Sequence, residues 1–128
     1  MALNVLVVDD SSVMRKMIVR ALKMSGLPIG QVHEAGNGQE GLEQMDRHWI
    51  DLALVDLNMP VMTGEEMIDR LRENHVTADV PVVVVSTDGS ETRLARIRPK
   101  VAGFVHKPFT PEQLGAAITE VVGVLGNE

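Results

Sequence analysis

Short apolar runs recur along the chain, and each stops at a residue able to carry chemistry. Leu3–Val8 stops at Asp9-Asp10, the run from Asp51 at Asp56-Leu57-Asn58-Met59-Pro60, Pro81–Val85 at Ser86-Thr87-Asp88, and Gly103–Lys107 ends in its own lysine. Runs of strand length that are β-branched and lack polar alternation fit parallel strands covered by helices on both faces. Gln31–Ala35 is a shorter, more polar fifth candidate.

Between the runs the apolar spacing becomes helical. From Ser11 to Ser25, Val13, Met14, Met17, Ile18, Ala21 and Leu22 mark a buried stripe, with Gly26 as a stop. The Gly36-Asn37-Gly38 turn opens a second helix running to about Trp49, with Leu42 and Met45 inward. A third follows Gly64, with Met67, Ile68 and Leu71 inward and Glu65, Glu66, Asp69, Arg70 and Arg72 toward solvent. A fourth covers Ser90 to Arg98 and ends near Pro99, with Leu94 and Ile97 inward. Arg93, Arg96, Arg98 and Lys100 give it a basic, solvated face, with a docking patch as the sharper reading. Thr110-Pro111-Glu112-Gln113 starts a fifth, whose Leu114, Ala117, Ile118, Val121, Val122 and Leu125 form one face. Five strands alternating with five helices predict an α/β domain with right-handed crossovers, one domain over residues 1–128.

Composition narrows the function. The net charge of −6 argues against binding DNA or RNA through phosphates, so proteins or small anions are the expected partners. With no Cys, disulfides, thiolate zinc sites and thiol catalysis are excluded. No apolar run reaches the roughly 20 residues of a membrane span, and the first residues do not read as a leader peptide. A soluble, cytoplasmic protein without membrane insertion is expected. Trp49, Phe104 and Phe109 are the whole aromatic content, few for stacking a flavin or nucleobase.

In open α/β sheets ligands bind beyond the carboxyl ends of the strands. That rule gathers Asp9, Asp10, Asp56, Asn58, Ser86 and Lys107 on one rim. Two carboxylates about 4 Å apart repel by roughly 4 kcal/mol at an effective dielectric near 20, so such a cluster calls for a cation. Oxygen donors without His or Cys favour a hard ion, magnesium (Mg²⁺) above all. Lys107 and the Ser86 hydroxyl opposite it would complete a clamp for phosphoryl oxygens, leaving Asp56 as nucleophile. A lone Asp before a helix is usually a cap and a lone Lys usually solvated; here their coincidence favours a site. His33, His48, His75 and His106 lack ligand spacing, and His106 should face away from Lys107.

These motifs together make the chain resemble a response-regulator receiver domain of the stand-alone chemotaxis type. The resemblance rests on Val5-Leu6-Val7-Val8-Asp9-Asp10, Val55-Asp56-Leu57-Asn58-Met59-Pro60, Val84-Val85-Ser86-Thr87 and Phe104-Val105-His106-Lys107-Pro108-Phe109. It implies a flavodoxin-like three-layer sandwich with strand order 2-1-3-4-5. It implies phosphorylation of Asp56 by a histidine kinase and metal binding by Asp10, Asp56 and the Asn58 backbone carbonyl, with Asp9 acting through water. Lys107 would contact the phosphoryl group, a cis bond would join Lys107 to Pro108, and Ser86 with Phe104 would form the switch. The helix 4, strand 5 and helix 5 surface would then bind a downstream protein through an acidic or amphipathic segment, the chain itself being a monomer. It departs from the family pattern at Pro99-Lys100, where Gly is usual, and at Ser86, where Thr is usual.

Catalysis would thus be confined to its own phosphoryl transfer and autodephosphorylation. A phosphate sink or phosphorelay intermediate is the nearest alternative. A Mg²⁺-dependent phosphohydrolase would need a second general acid and a cap. A flavodoxin-like electron carrier would be repelled by Asp9-Asp10 at its phosphate.

Overall fold

In the computed structural model, which describes residues 2–126 with side chains through residue 123, side-chain alternation sorts the apolar runs onto two faces. The strands are β1 Leu3–Val8, β2 Ile29–Ala35, β3 Leu52–Val55, β4 Val82–Ser86 and β5 Gly103–His106. They pair in parallel in the order β2-β1-β3-β4-β5. Helices α1 Ser12–Met24, α2 Gly38–Arg47, α3 Gly64–Glu73, α4 Glu91–Ile97 and α5 Pro111–Gly126 connect and cover the sheet. Leu6, Val8, Ala53, Val55, Val82 and Val84 pack with Met67, Ile68 and Leu71 of α3 and Ile97 of α4. Val5, Val7, Leu52, Leu54, Val83 and Val85 pack with Ile18 and Leu22 of α1 and Leu114 and Ile118 of α5. Each such burial contributes about 1.5–3 kcal/mol, which makes β1, β3 and β4 the fixed platform behind the rim.

The helix starts are set by local caps. Ser11, Asn37, Thr63 and Ser90 accept amide hydrogens from Met14, Glu40, Glu66 and Arg93, and Thr63 with Glu66 closes a capping box. Thr110 and Gln113 exchange the same two bonds ahead of α5, as their spacing predicts. The inward α5 face runs through Val122, which is partly buried against the same core. The expectation for Leu125 falls outside the described side chains.

Several readings are corrected. Val13 and Met17 are exposed, at 67% and 52%, because the apolar stripe of α1 is wider than the strip the sheet covers. α2 ends at Arg47, with His48 extended as its C-cap, and Trp49 is exposed while its ring N–H donates to Asp51. His33 and His48 stack at 3.8 Å between centroids, a contact their sequence spacing conceals. The basic face of α4 is not free. Arg93 and Arg96 pair with Glu65, and Lys100 pairs with Asp69, so two carboxylates of α3 offset part of its charge while the Arg96 side chain stays 62% exposed.

Arg72 is half-buried instead of solvated. Its Nε and Nη2 donate to the Lys100 carbonyl at 3.0 and 2.8 Å, and Nη1 donates to the Ala78 and Val80 carbonyls at 3.0 and 2.8 Å. It thereby holds the 3₁₀ turn Arg98–Lys100 that replaces the expected glycine stop after α4. Arg72→Met should cost about 2–3 kcal/mol in urea denaturation, since three carbonyls lose their donor. Arg72→Lys should recover less than half of that, because an ammonium cannot span the acceptors.

Candidate functional site

β1 and β3 end level with one another and β4 runs two residues further, so their registers carry Asp9, Asp56 and Ser86 to one rim. Asp9 is 1% exposed; its Oδ1 accepts from the Ser11 amide at 2.9 Å and its Oδ2 from Lys107 Nζ at 2.6 Å. Arg15 donates to the Asp9 carbonyl at 2.7 Å, fixing the bend from which Asp10 projects into solvent. Ser11 supplies the cap of α1, which leaves Asp10 free of that duty.

Asp56 is 8% exposed, and its Oδ1 accepts from the Leu57 amide at 2.8 Å. Its Oδ2 lies 3.4 Å from Lys107 Nζ. One carboxylate oxygen each of Asp9, Asp10 and Asp56 falls within 4.8 Å of the others, an arrangement that can hold a metal ion. Three carboxylates against one ammonium leave two negative charges, the complement of a divalent ion. Burial raises the Asp56 carboxyl above its ordinary pKa, opposed by Lys107 and reinforced by Asp9.

Lys107 is 8% exposed, joined to Pro108 by a cis bond, while His106 is exposed. Its amide donates to the Ser86 carbonyl at 2.9 Å, which ties the ends of β4 and β5 together. Ser86 is fully buried and its Oγ accepts from the Asp88 amide at 3.2 Å. Phe104 is half-buried opposite Val84, two positions back from Ser86, and borders a cavity of about 280 Å³ with Leu94, Ile97 and Val101. Asn58 is exposed, and its side-chain oxygen accepts from Arg93 at 2.7 Å.

Sequence reasoning missed Arg93 and Asp88, which lie against these loops. It also missed the turn at Val61, where φ is 68° and the Met62 amide donates back to the Pro60 carbonyl at 2.7 Å. A β-branched residue in this region costs on the order of 1–3 kcal/mol. The turn brings Gly64 back to donate to Leu57 O at 3.0 Å.

Fold and site together define a doubly wound α/β domain whose carboxyl rim carries an acidic cluster balanced by one lysine. The chain belongs to the response regulator receiver domain family, whose model matches residues 5–119. Chemotaxis protein CheY1 of Helicobacter pylori is 32% identical over 123 residues, 94% of this chain and 98% of that protein. A CheY homolog of Campylobacter jejuni is 31% identical over 128 residues, 98% of this chain and 97% of its own. The structure of Vibrio cholerae CheY4 superposes with a TM-score of 0.85 at 30% identity, covering 94% of this chain and 99% of that one. The chain is therefore a receiver domain of the CheY type. Among the described residues no helix is long and apolar enough to cross a membrane.

Two outcomes test this geometry. A Cβ at Gly64 would stand 2.1 Å from the Asp56 carbonyl oxygen, so Gly64→Ala should displace the loop and cost on the order of 3 kcal/mol or more in urea denaturation. For Asp56, a raised native pKa means that its stabilising contribution is present below the unfolded carboxylate range and lost as pH rises through the native value. Asp56→Asn should therefore melt higher than wild type at neutral pH in EDTA. A rise of roughly 3–6 °C would correspond to about 1 kcal/mol in a domain of this size, and the gap should close as pH falls.

Proposed function

We propose that the chain is a phosphorylation-dependent switch of a two-component system, accepting a phosphoryl group on Asp56 from a histidine kinase. The observation that carries this reading is Asp56 itself, a buried carboxylate beside the Lys107 ammonium and clustered with the carboxylates of Asp9 and Asp10. An Asp56 oxygen attacks phosphorus, the bond from phosphorus to the kinase imidazole nitrogen breaks, and the imidazole leaves with its electron pair. The product is an acyl phosphate.

The donor set fits Mg²⁺, being all oxygen and short of two positive charges. Asp10, Asp56 and the Asn58 main-chain carbonyl would hold the ion directly, and Asp9 through water. Bound there, it would neutralise charge on the phosphoryl oxygens. Lys107 is placed to follow the new anion, since it already contacts Asp56 and Asp9. Ser86 Oγ would turn from the Asp88 amide to the phosphoryl group, and Phe104 would move inward into the space it leaves. One charge-assisted hydrogen bond contributes about 1.5–3 kcal/mol, whereas reversing a 1:99 equilibrium takes roughly 5.5, so Lys107 and the ion must share the work. The altered face of α4, β5 and α5 would bind a downstream protein.

Incubation with acetyl phosphate and Mg²⁺ should add one phosphoryl mass to the intact protein, removable by hydroxylamine. Asp56→Asn or excess EDTA should abolish it. Undiminished labelling in either would overturn the assignment of Asp56.

A further inference from the structure

We propose that Arg93 is a positioning residue that latches α4 to the phosphorylation loop in the unmodified protein and yields when Asp56 is modified. The proposal rests on the reading of Asp56 as phosphoacceptor. Arg93 lies in the first turn of α4, with its side chain 20% exposed. Its Nε donates to Glu65 in the first turn of α3, and Nη1 donates to Asn58 Oδ1 at 2.7 Å and to Asp88 Oδ2 at 2.6 Å. Nη2 reaches the Leu57 carbonyl at 3.5 Å. One planar guanidinium thus joins α4 to the loop after β3, the start of α3 and the loop after β4, a span that a lysine cannot cover.

Two of these partners touch the reacting groups. The Leu57 amide holds Asp56 Oδ1, and the Asp88 amide holds Ser86 Oγ. Motion of the Ser86 hydroxyl toward Asp56 breaks the bond from Asp88 and so disturbs the residue whose carboxylate grips Arg93. Beyond this node α4 is held by the Arg96–Glu65 pair and by few apolar contacts. It is seven residues long, and Ile97 is its one fully buried side chain, with Leu94 partly buried. Burial acts to raise the Glu65 carboxyl, but hydrogen bonds from Arg93 and Arg96 hold it below its ordinary range, and Asp88 is lowered by the Ser90 amide and Arg93. The node is therefore ionised across neutral pH, and salt, not protons, should loosen it.

Contacts made in one of two states, and not in the other, shift the balance against the other. Removing the latch should ease the switch. The test follows α4 amides by NMR and titrates beryllofluoride, a phosphoryl mimic, with Mg²⁺ in wild type, Arg93→Ala and Glu65→Gln. The proposal expects amides 91–97 of both unliganded variants to move along the line joining free and beryllofluoride-bound wild type. It also expects beryllofluoride to bind Arg93→Ala roughly two- to tenfold more tightly. A merely structural role would lower the melting temperature of free and bound protein alike and leave the affinity unchanged, and that result would overturn the latch. Glu65→Gln keeps the test decisive if Arg93→Ala fails to fold. A wild type that does not respond to beryllofluoride overturns the phosphoacceptor reading and the latch together; a responding wild type with unaltered variants overturns the latch alone.

Discussion

The structure depends on one ammonium group. Lys107 Nζ sits 2.6 Å from Asp9 and 3.4 Å from Asp56, joining the end of the last strand to the ends of the first and third. The sheet order places β3 and β4 between β1 and β5, so the long lysine stem must cross the rim to make this contact. Without it, the buried carboxylates of Asp9 and Asp56 would have no ion-pair partner among the described residues, and burial already pushes Asp56 toward its neutral form. Removing one partner of a buried charge pair is costly because the other is left uncompensated. The site thus keeps a net negative charge that suits a cation.

Behind the rim the apolar sheet is rigid, while the elements in front of it are held by polar ties. α4 and the turn after it are fastened by Arg93, Arg96, Lys100 and Arg72 to α3, its flanking loops and their carbonyls. Ties of this kind can exchange partners at small cost, whereas interlocked core side chains cannot. That division leaves α4 and the turn after it, beside Phe104, as the elements held most by exchangeable contacts.

Much of this was legible in the sequence because strands that end in acid, hydroxyl and lysine declare a rim even before the fold is known. The gathering of Asp9, Asp10, Asp56 and Lys107 on one rim followed from the strand ends of a parallel sheet, and the cis Lys107-Pro108 bond from the family resemblance. The two-faced sorting of β1, β3 and β4 was hidden, since Val and Leu occupy both faces. Arg72 and Arg93 were misjudged for a related reason. Charged residues on a helix exterior look solvated, and their partners lie up to 36 residues away along the chain. One signal was available: Glu65 and Arg93 each sit in the first turn of a helix that begins on the same rim. The left-handed turn at Val61 had no such signal, because a β-branched residue argues against it.

The central claim is that three carboxylates outnumber one lysine at this rim and that the imbalance is met by a divalent ion. A Mg²⁺ titration followed by amide NMR tests it most directly, comparing wild type with Asp10→Ala. The account predicts saturable shifts centred on residues 9–10 and 56–58, with binding greatly weakened in the variant. Shifts that fail to saturate, scatter over the acidic surface and persist unchanged in Asp10→Ala would contradict it.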